Sequence, residues 1–583
     1  MPTLEWIGKE KVVNHHLEVP YRVLERKYSF GESGQTEADN GSENMVIHGD
    51  NLEALKSLLP QYEGRVKCIY IDPPYNTGNE GWVYNDNVND PHIKAWLNKT
   101  VGKEGEDLSR HDKWLCMMYP RLKLLQKLLA EDGAIFISID DTEYANLKLI
   151  CDEIFGSNCF VSNISWQRTY STRNDSKGIV NEVEHLIVYS KQPGWNPNKL
   201  PRTAEMDSKY KNPDNDRTLW RTDNAFAPGA ATHQGMVYAI QHPFTGKMLY
   251  PANGRCWTFG QDQMLEIMRG WCEYELRNLN DAHERAVVCG VPESDVRQGV
   301  QAIVLSESLE ISAQKARAVY DRGQWPRFFF TKGGKGGIAR KTYLESVGGK
   351  LPTNFWPFSE TGHTDEAKKE MLAIFDGKAT FDTPKPHRLI EFVLKIAGSK
   401  DSLILDSFAG SGTTAHAVLN MNKADGGHRK FILVEMGDYA DSITAERVKR
   451  VIHGYGEGKN AVPGTGGNFS FYELGEPLMN GDVLNENVGV DKIREYVYFT
   501  DTKTPLPESS PEEPYLMGVH VNSAYYFYYE KQSVTTLNRQ FLHNVKTKAD
   551  AYVIYADLCT LSDTELEKYH ITFKKIPRDI TKL

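Results

Sequence analysis

Five short apolar runs in this chain end in an acid. They are Met45-Val-Ile-His-Gly-Asp50, Val66-Lys-Cys-Ile-Tyr-Ile-Asp72, Gly133-Ala-Ile-Phe-Ile-Ser-Ile-Asp140, Ser402-Leu-Ile-Leu-Asp406 and Phe431-Ile-Leu-Val-Glu435. Each is β-branched or aromatic and too short for a buried helix, so each reads as a buried strand. Helically spaced apolar residues follow, as at Leu52, Leu55, Leu58 and Leu59. Asp50 and Asp72 lie 22 positions apart, the length of one β-α-β step. A chain of such steps needs a largely parallel sheet covered by helices on both faces, with ligands at the carboxyl ends of the strands. The fold class is therefore α/β with a doubly wound mixed sheet.

The rhythm is interrupted. It runs through residues 44–190, stops over 191–355 and returns over 356–465, so one sheet is built from two distant halves. The interruption is turn-rich and irregular, an inserted α+β domain. Residues 160–355, which include it, hold 25 Lys and Arg against 20 Asp and Glu, although the whole chain carries a net charge of -10. Basic residues lie beside aromatics at Arg255 and Trp257 and at Arg327-Phe-Phe-Phe330, the mixture that a strand-stacking or groove-reading surface uses. Lys332-Gly-Gly-Lys335-Gly-Gly337 lacks the Gly-Lys-Ser/Thr ending of a P-loop and reads as a flexible basic loop able to touch a phosphodiester. Residues 1–43 are polar and read as an arm. Residues 466–583 read as a small α/β domain, with strands near Tyr552–Asp557 and Ile571–Phe573 and no evident chemistry.

Chemistry concentrates at two of the strand ends. Asp72-Pro73-Pro74-Tyr75 leaves its strand in a stiff loop, because proline cannot continue a ladder. The loop brings a carboxylate, a carbonyl and a flat ring to one point. The lone pair of a nucleobase amine is delocalised into its ring. Acceptors at Asp72 and Pro73 take its two N–H groups and localise that pair, while Tyr75 stacks on the base at about 1–3 kcal/mol. The wet, aromatic-bearing stretch that follows, Asn76–Ser109 with Trp82, Tyr84 and Trp96, is a candidate lid or substrate loop. Trp114–Leu129 has helical spacing, and Pro120 predicts a kink or a second helix there.

The second strand end is Asp406-Ser-Phe408-Ala409-Gly410-Ser411-Gly412-Thr413-Thr414. A tight glycine loop opening a helix, with Glu435 closing the next strand, has the mechanics of adenosine binding: close backbone approach and an acid on a ribose diol. The third glycine of a dinucleotide fingerprint is missing. That favours an adenosine cofactor without a diphosphate, S-adenosylmethionine over NAD. Upstream, Thr383-Pro-Lys385-Pro386 opens another helix, with Thr383 or a neighbour as its cap.

With Asp-Pro-Pro-Tyr first and Phe-Ala-Gly-Ser-Gly last, the chain resembles the β-group amino-group DNA methyltransferases, whose motif order is circularly permuted. It is most similar to the Mod (modification) subunits of Type III restriction–modification systems. Asp72–Gly78, Gly362-His-Thr-Asp-Glu-Ala-Lys-Lys-Glu370, Thr383–Pro386 and Phe408–Thr414 carry that likeness. The resemblance implies a catalytic half at 44–190, a target-recognition domain at 191–355 and a cofactor-binding half at 356–465. It implies that Asp72, Pro73, Pro74 and Tyr75 hold a flipped adenine. Asp50, Thr383, Lys385, Asp406, Phe408, Ala409, Gly410, Ser411, Gly412, Thr413 and Glu435 then hold S-adenosylmethionine, with Asp50 on the adenine and Thr383 and Lys385 at the methionine end. Arg255, Trp257, Lys332 and Lys335 are candidate contacts to double-stranded DNA. A homodimer and a separate restriction subunit, carrying helicase and nuclease activity, are the partners it implies.

Other readings differ in one feature each. Asp rather than Ser before Pro-Pro-Tyr favours adenine N6 over cytosine N4. The large insertion favours duplex DNA over RNA or a protein amide. The absent third glycine disfavours a nicotinamide dehydrogenase, and the intact motifs disfavour a DNA-binding protein with a dead methyltransferase fold. Eight cysteines show no Cys-x-x-Cys pair and no zinc-type spacing, so no metal is expected. Nor does any stretch read as a signal peptide or membrane span, and the expectation is a cytoplasmic protein.

Overall fold

The acid-ended runs lie side by side in one sheet. The computed structural model describes residues 3–77, 106–170, 178–508 and 511–578. Among these, an eleven-stranded sheet has the order Phe355–Trp356, Phe160–Gln167, Val183–Ser190, Leu129–Ile139, Val66–Ile71, Leu403–Asp406, Lys430–Glu435, Met45–His48, Phe469–Pro477, Arg22–Gly31 and Gly34–Thr36. The six from Leu129–Ile139 to Phe469–Pro477 run parallel. Val183–Ser190 and Arg22–Gly31 flank them antiparallel. From Val66–Ile71 the chain next enters the sheet on one side, at Leu129–Ile139. From Leu403–Asp406 it moves to the other side, at Lys430–Glu435. The order reverses between two touching strands, where Ile404 pairs with Cys68, and such a switch point opens a crevice at the carboxyl edge.

Period-two alternation divides the side chains between the two faces. Ile69, Ile71, Ile135 and Ile137 enter a core with Leu55, Leu58, Trp114, Leu122 and Leu125. Those last residues belong to helices Asn51–Tyr62 and Glu106–Leu128, which pack on each other and, through the second, on Tyr144–Phe155. On the opposite side of the alternation, His387–Ala397 packs on Thr413–Asp425, which packs on Glu446–His453.

Three local expectations change. Residues 22–31 form a strand rather than an arm. Its charges hide the pattern, but Tyr28 stacks on Phe471 at 5.1 Å and Ser29 Oγ meets Ser470 Oγ at 2.8 Å across the ladder. No second helix starts at Pro120, because Glu106–Leu128 runs on through it as one helix. The helix after Thr383 is His387–Ala397, capped by Pro386 with no side-chain acceptor, and Thr383 is exposed. The candidate lid falls almost wholly on residues 78–105, outside the described residues.

Contacts divide the chain into two compact units, Met1–Asn198 with Pro352–Leu583, and Lys199–Leu351. The first includes the tail: Phe469–Pro477 is a strand of the large sheet, and Leu516–His520, Ser523–Phe527, Ala551–Ala556 and Ile571–Lys575 form a second, small sheet. The second unit holds small sheets and three helices of eight or more residues, Gln261–Arg269, Ala282–Cys289 and Leu309–Arg322. Its core gathers Trp220, Trp257, Trp271 and Phe328–Phe330.

Candidate active site at the sheet switch point

The Asp72–Tyr75 loop is pinned from several sides. Trp114 Nε1 donates to the Pro74 carbonyl at 2.7 Å. Asn76 takes a left-handed φ of 58°, and its side-chain amide donates to the buried Glu143 carboxylate, which also receives His111 and Asn146. Left-handed backbone on a non-glycine residue costs about 1 kcal/mol and persists where surrounding contacts enforce it.

Inside this frame Asp72 sits in a five-residue network. Lys385 Nζ donates to Asp72 Oδ1 at 2.8 Å, to Oδ2 at 2.7 Å and to the Tyr75 hydroxyl at 2.9 Å. The Tyr75 hydroxyl proton faces Asp72 Oδ1 at 2.9 Å and Glu184 Oε2 at 3.2 Å. Glu184 Oε2 is also 3.7 Å from Lys385 Nζ, and Arg168 Nη1 donates to Glu184 Oε1 at 2.9 Å. Desolvation pushes the Asp72 carboxyl above the usual carboxylate range against the pull of Lys385. Desolvation also disfavours the Lys385 ammonium, but Asp72 and Glu184 outweigh it and raise its pKa. Glu184 belongs to no motif, so sequence reading missed it. The Lys385 side chain, expected at the methionine end of a cofactor, reaches Asp72. The Lys385 carbonyl accepts from Thr413 Oγ1 at 3.3 Å, so this one residue links the glycine loop to the Asp-Pro-Pro-Tyr loop.

The glycine loop is held by acids beneath it. Asp406 is buried, accepts from Phe408 N at 3.1 Å and from Thr414 Oγ1 at 2.6 Å, and burial pushes its carboxyl up to about 7. It shapes the loop from inside. Glu435 accepts Gly410 N at 2.7 Å and Gly437 N at 2.8 Å. Gly410 and Gly412 have φ of 52° and 79°. A Cβ on Gly412 would meet the Thr444 carbonyl at 2.9 Å, and one on Gly410 would meet Phe381 at 3.1 Å. Thr444 lies in a π-helix, Ala440–Ala445, a widened turn often found at functional sites. Phe408, Ala409, Ser411 and Thr413 are buried. Asp50 caps its helix at Leu52 N (2.8 Å) and receives Arg121 Nη2 at 3.2 Å.

Ser411 and Thr413 face away into a second network. Buried Arg447 donates through Nη1 to Ser411 Oγ at 2.9 Å and Thr413 Oγ1 at 2.8 Å, and through Nη2 to Glu370 Oε2 and His416 Nδ1, both at 3.1 Å. His387 Nδ1 is 2.7 Å from Glu370 Oε1. Glu370, His387 and His416 cluster tightly enough to hold a metal, but the guanidinium already supplies their positive charge. Arg447 and Thr444 follow Glu435 in a helical stretch without motif spacing, so only the fold reveals them.

In the Lys199–Leu351 unit, Arg255, Lys332 and Lys335 are exposed. Trp257 is a correction: it is 1% exposed and donates to the Tyr238 carbonyl at 2.7 Å, so it packs the core and offers no stacking face. Phe328–Phe330 are core as well. The Lys332–Gly337 loop is closed by backbone bonds, Thr331 N to the Gly337 carbonyl at 3.0 Å and Gly336 N to the Thr331 carbonyl at 2.8 Å, which makes it a formed turn. A cavity of about 430 Å³ near Lys67, Asp132, Leu403 and Lys430 lies at the amino ends of the strands, away from both motifs.

Comparison with known proteins agrees with this geometry. A DNA methylase family model matches residues 66–446. The chain belongs to that family. The chain is 34% identical over 71% of its length to the Type III restriction-modification enzyme StyLTI Mod subunit of Salmonella typhimurium, covering 58% of that protein. It is 29% identical to the EcoPI Mod subunit of Escherichia phage P1, over 74% of this chain and 63% of that one. The Type II methyltransferase M.KpnI of Klebsiella pneumoniae is 31% identical over 68% of this chain and 81% of its own. The chain thus spans about three-fifths of the length of these Mod subunits.

Proposed function

We propose that the protein transfers a methyl group from S-adenosylmethionine to the N6 amino group of an adenine flipped from duplex DNA, as the modification subunit of a Type III restriction–modification system. The observation that carries this reading is Lys385, whose backbone touches the glycine loop and whose side chain holds the Asp72 carboxylate, so the two motifs share one crevice. The residues fit the cofactor. Gly410 and Gly412 allow only backbone at the loop surface, and Glu435 adjoins them as a carboxylate suited to a ribose diol. Phe408, Asp50 and Thr383 lie on the segments that complete such a site. When bound, S-adenosylmethionine supplies a methyl group activated by a sulfonium.

The chain's own work is positioning. Asp72 and the Pro73 carbonyl accept the two amine hydrogens, and Tyr75, its hydroxyl fixed by the network, presents its ring to the base. Extruding the base costs a few kcal/mol, offset by stacking and by contacts to the DNA backbone. The Lys199–Leu351 unit, with Arg255, Lys332 and Lys335 exposed, is the proposed reader of the duplex. A restriction subunit as partner, and a homodimer, are part of the same proposal, and the similarity to Mod subunits of Type III restriction-modification enzymes supports the former. Among the described residues no helix is long and apolar enough to cross a membrane, and all eight cysteines are free, which supports a cytoplasmic location.

The test is incubation with duplex DNA and labelled S-adenosylmethionine, followed by nucleoside chromatography. N6-methyladenine is the expected product, and label on cytosine N4 or none on DNA overturns the assignment. Asp72→Ala is expected to abolish transfer while calorimetric cofactor affinity stays within about threefold.

A further inference from the structure

We propose that Glu184 is a positioning residue of the transfer site, acting through Lys385 and the Tyr75 hydroxyl to keep the Asp72 carboxylate aligned while leaving it an acceptor for the incoming amine. The inference rests on the methyl-transfer reading above and assigns to Lys385 a role on the acceptor side of the site.

All three ammonium hydrogens of Lys385 are committed, two to Asp72 and one to Tyr75. An amine that takes an Asp72 lone pair competes with that ammonium. Glu184 Oε2, 3.7 Å from Nζ, is the further anion placed to accept what Asp72 gives up, and it receives the Tyr75 hydroxyl at 3.2 Å from the other side. The strand Val183–Ser190 fixes Glu184 in the sheet, opposite Trp166, and Arg168 holds its second oxygen. The two carboxylates and two cations sum to zero, so the ammonium can divide itself between Asp72 and Glu184 without leaving a buried charge unpaired.

The groups facing Asp72 make the test signed. Lys385 favours its ionised form, while Glu184, on its own strand, disfavours it. Tyr70 and Tyr75 flank Asp72 on its own segment, and Asp406 faces it from the adjacent strand. Protonated Asp72 loses an acceptor, so its titration sets the acid limb of the transfer rate. Removing the Lys385 charge should move that limb up, and removing the Glu184 charge should move it down. Loss of packing alone would not produce opposite signs.

The experiment measures kcat against pH for the unsubstituted protein, Lys385→Met, Lys385→Arg and Glu184→Gln, with cofactor affinity by calorimetry and melting temperature for each. Expected are an upward shift of about one pH unit or more in Lys385→Met, its partial reversal in Lys385→Arg, and a downward shift with about tenfold lower kcat in Glu184→Gln. Cofactor affinity should stay within about threefold throughout. Limbs that stay put or move together, or a tenfold loss of cofactor affinity in Lys385→Met, would overturn the inference alone. No transfer by the unsubstituted protein would overturn the reading on which it rests.

Discussion

Replacing Glu370 by Gln removes the anion at the centre of the network behind the glycine loop and keeps its shape. Glu370 is the counter-charge for buried Arg447 and for His387, with its side chain 14% exposed. Burial alone would raise its pKa, but His387, His416 and Arg447 together hold it down at about 2, against an ordinary value of 4.5. A depressed carboxylate contributes stability that is fully present above its unfolded value and is lost as the pH falls through its folded value. Here that loss runs from about 4.5 to about 2. His387 is raised: desolvation lowers it, but Glu370 and Glu391 outweigh burial. Its contribution is complete below its unfolded value of 6.5 and is lost as the pH rises through its higher folded value. Both terms are therefore whole between about pH 4.5 and 6.5. A shift of that size corresponds to about 3 kcal/mol, in line with the 3–5 kcal/mol that breaking a buried ion pair costs. Thermal unfolding followed by tryptophan fluorescence should show Glu370→Gln lower by several degrees across that window. The gap should shrink by half or more at pH 3. An equal gap at pH 3 and pH 5.5 would refute the electrostatic reasoning and leave geometry as the cause.

Further outcomes follow from the same structure. Gly412→Ala should destabilise by about 2 kcal/mol, from left-handed strain and the Thr444 carbonyl 2.9 Å from the new Cβ, and should weaken cofactor binding at least tenfold by calorimetry. Trp257→Ala should destabilise by about 3–5 kcal/mol as a core deletion, seen in melting, whereas Lys332→Ala and Lys335→Ala should leave melting unchanged and each lower the salt dependence of DNA affinity by about one charge.

The sequence by itself determined what is local. A buried run closed by an acid is strand-and-turn chemistry within ten residues, so Asp50, Asp72, Asp406 and Glu435 were all legible at strand ends, and the glycines at 410 and 412 were legible from the turn they must make. Arg22–Gly31 was not legible, because its charges lie on a strand whose partner is some 450 residues away. Nor was Trp257, because a basic neighbour and an aromatic ring give the same pattern at a surface and over a core. Only tertiary structure placed Val66–Ile71 against Leu403–Asp406 across more than 300 intervening residues. That pairing set Lys385 on Asp72, made Glu184 part of the site and put Arg447 beneath Ser411 and Thr413. Charges interact over a few ångströms of space, and spacing along the chain carries no record of which distant residues the sheet brings that close.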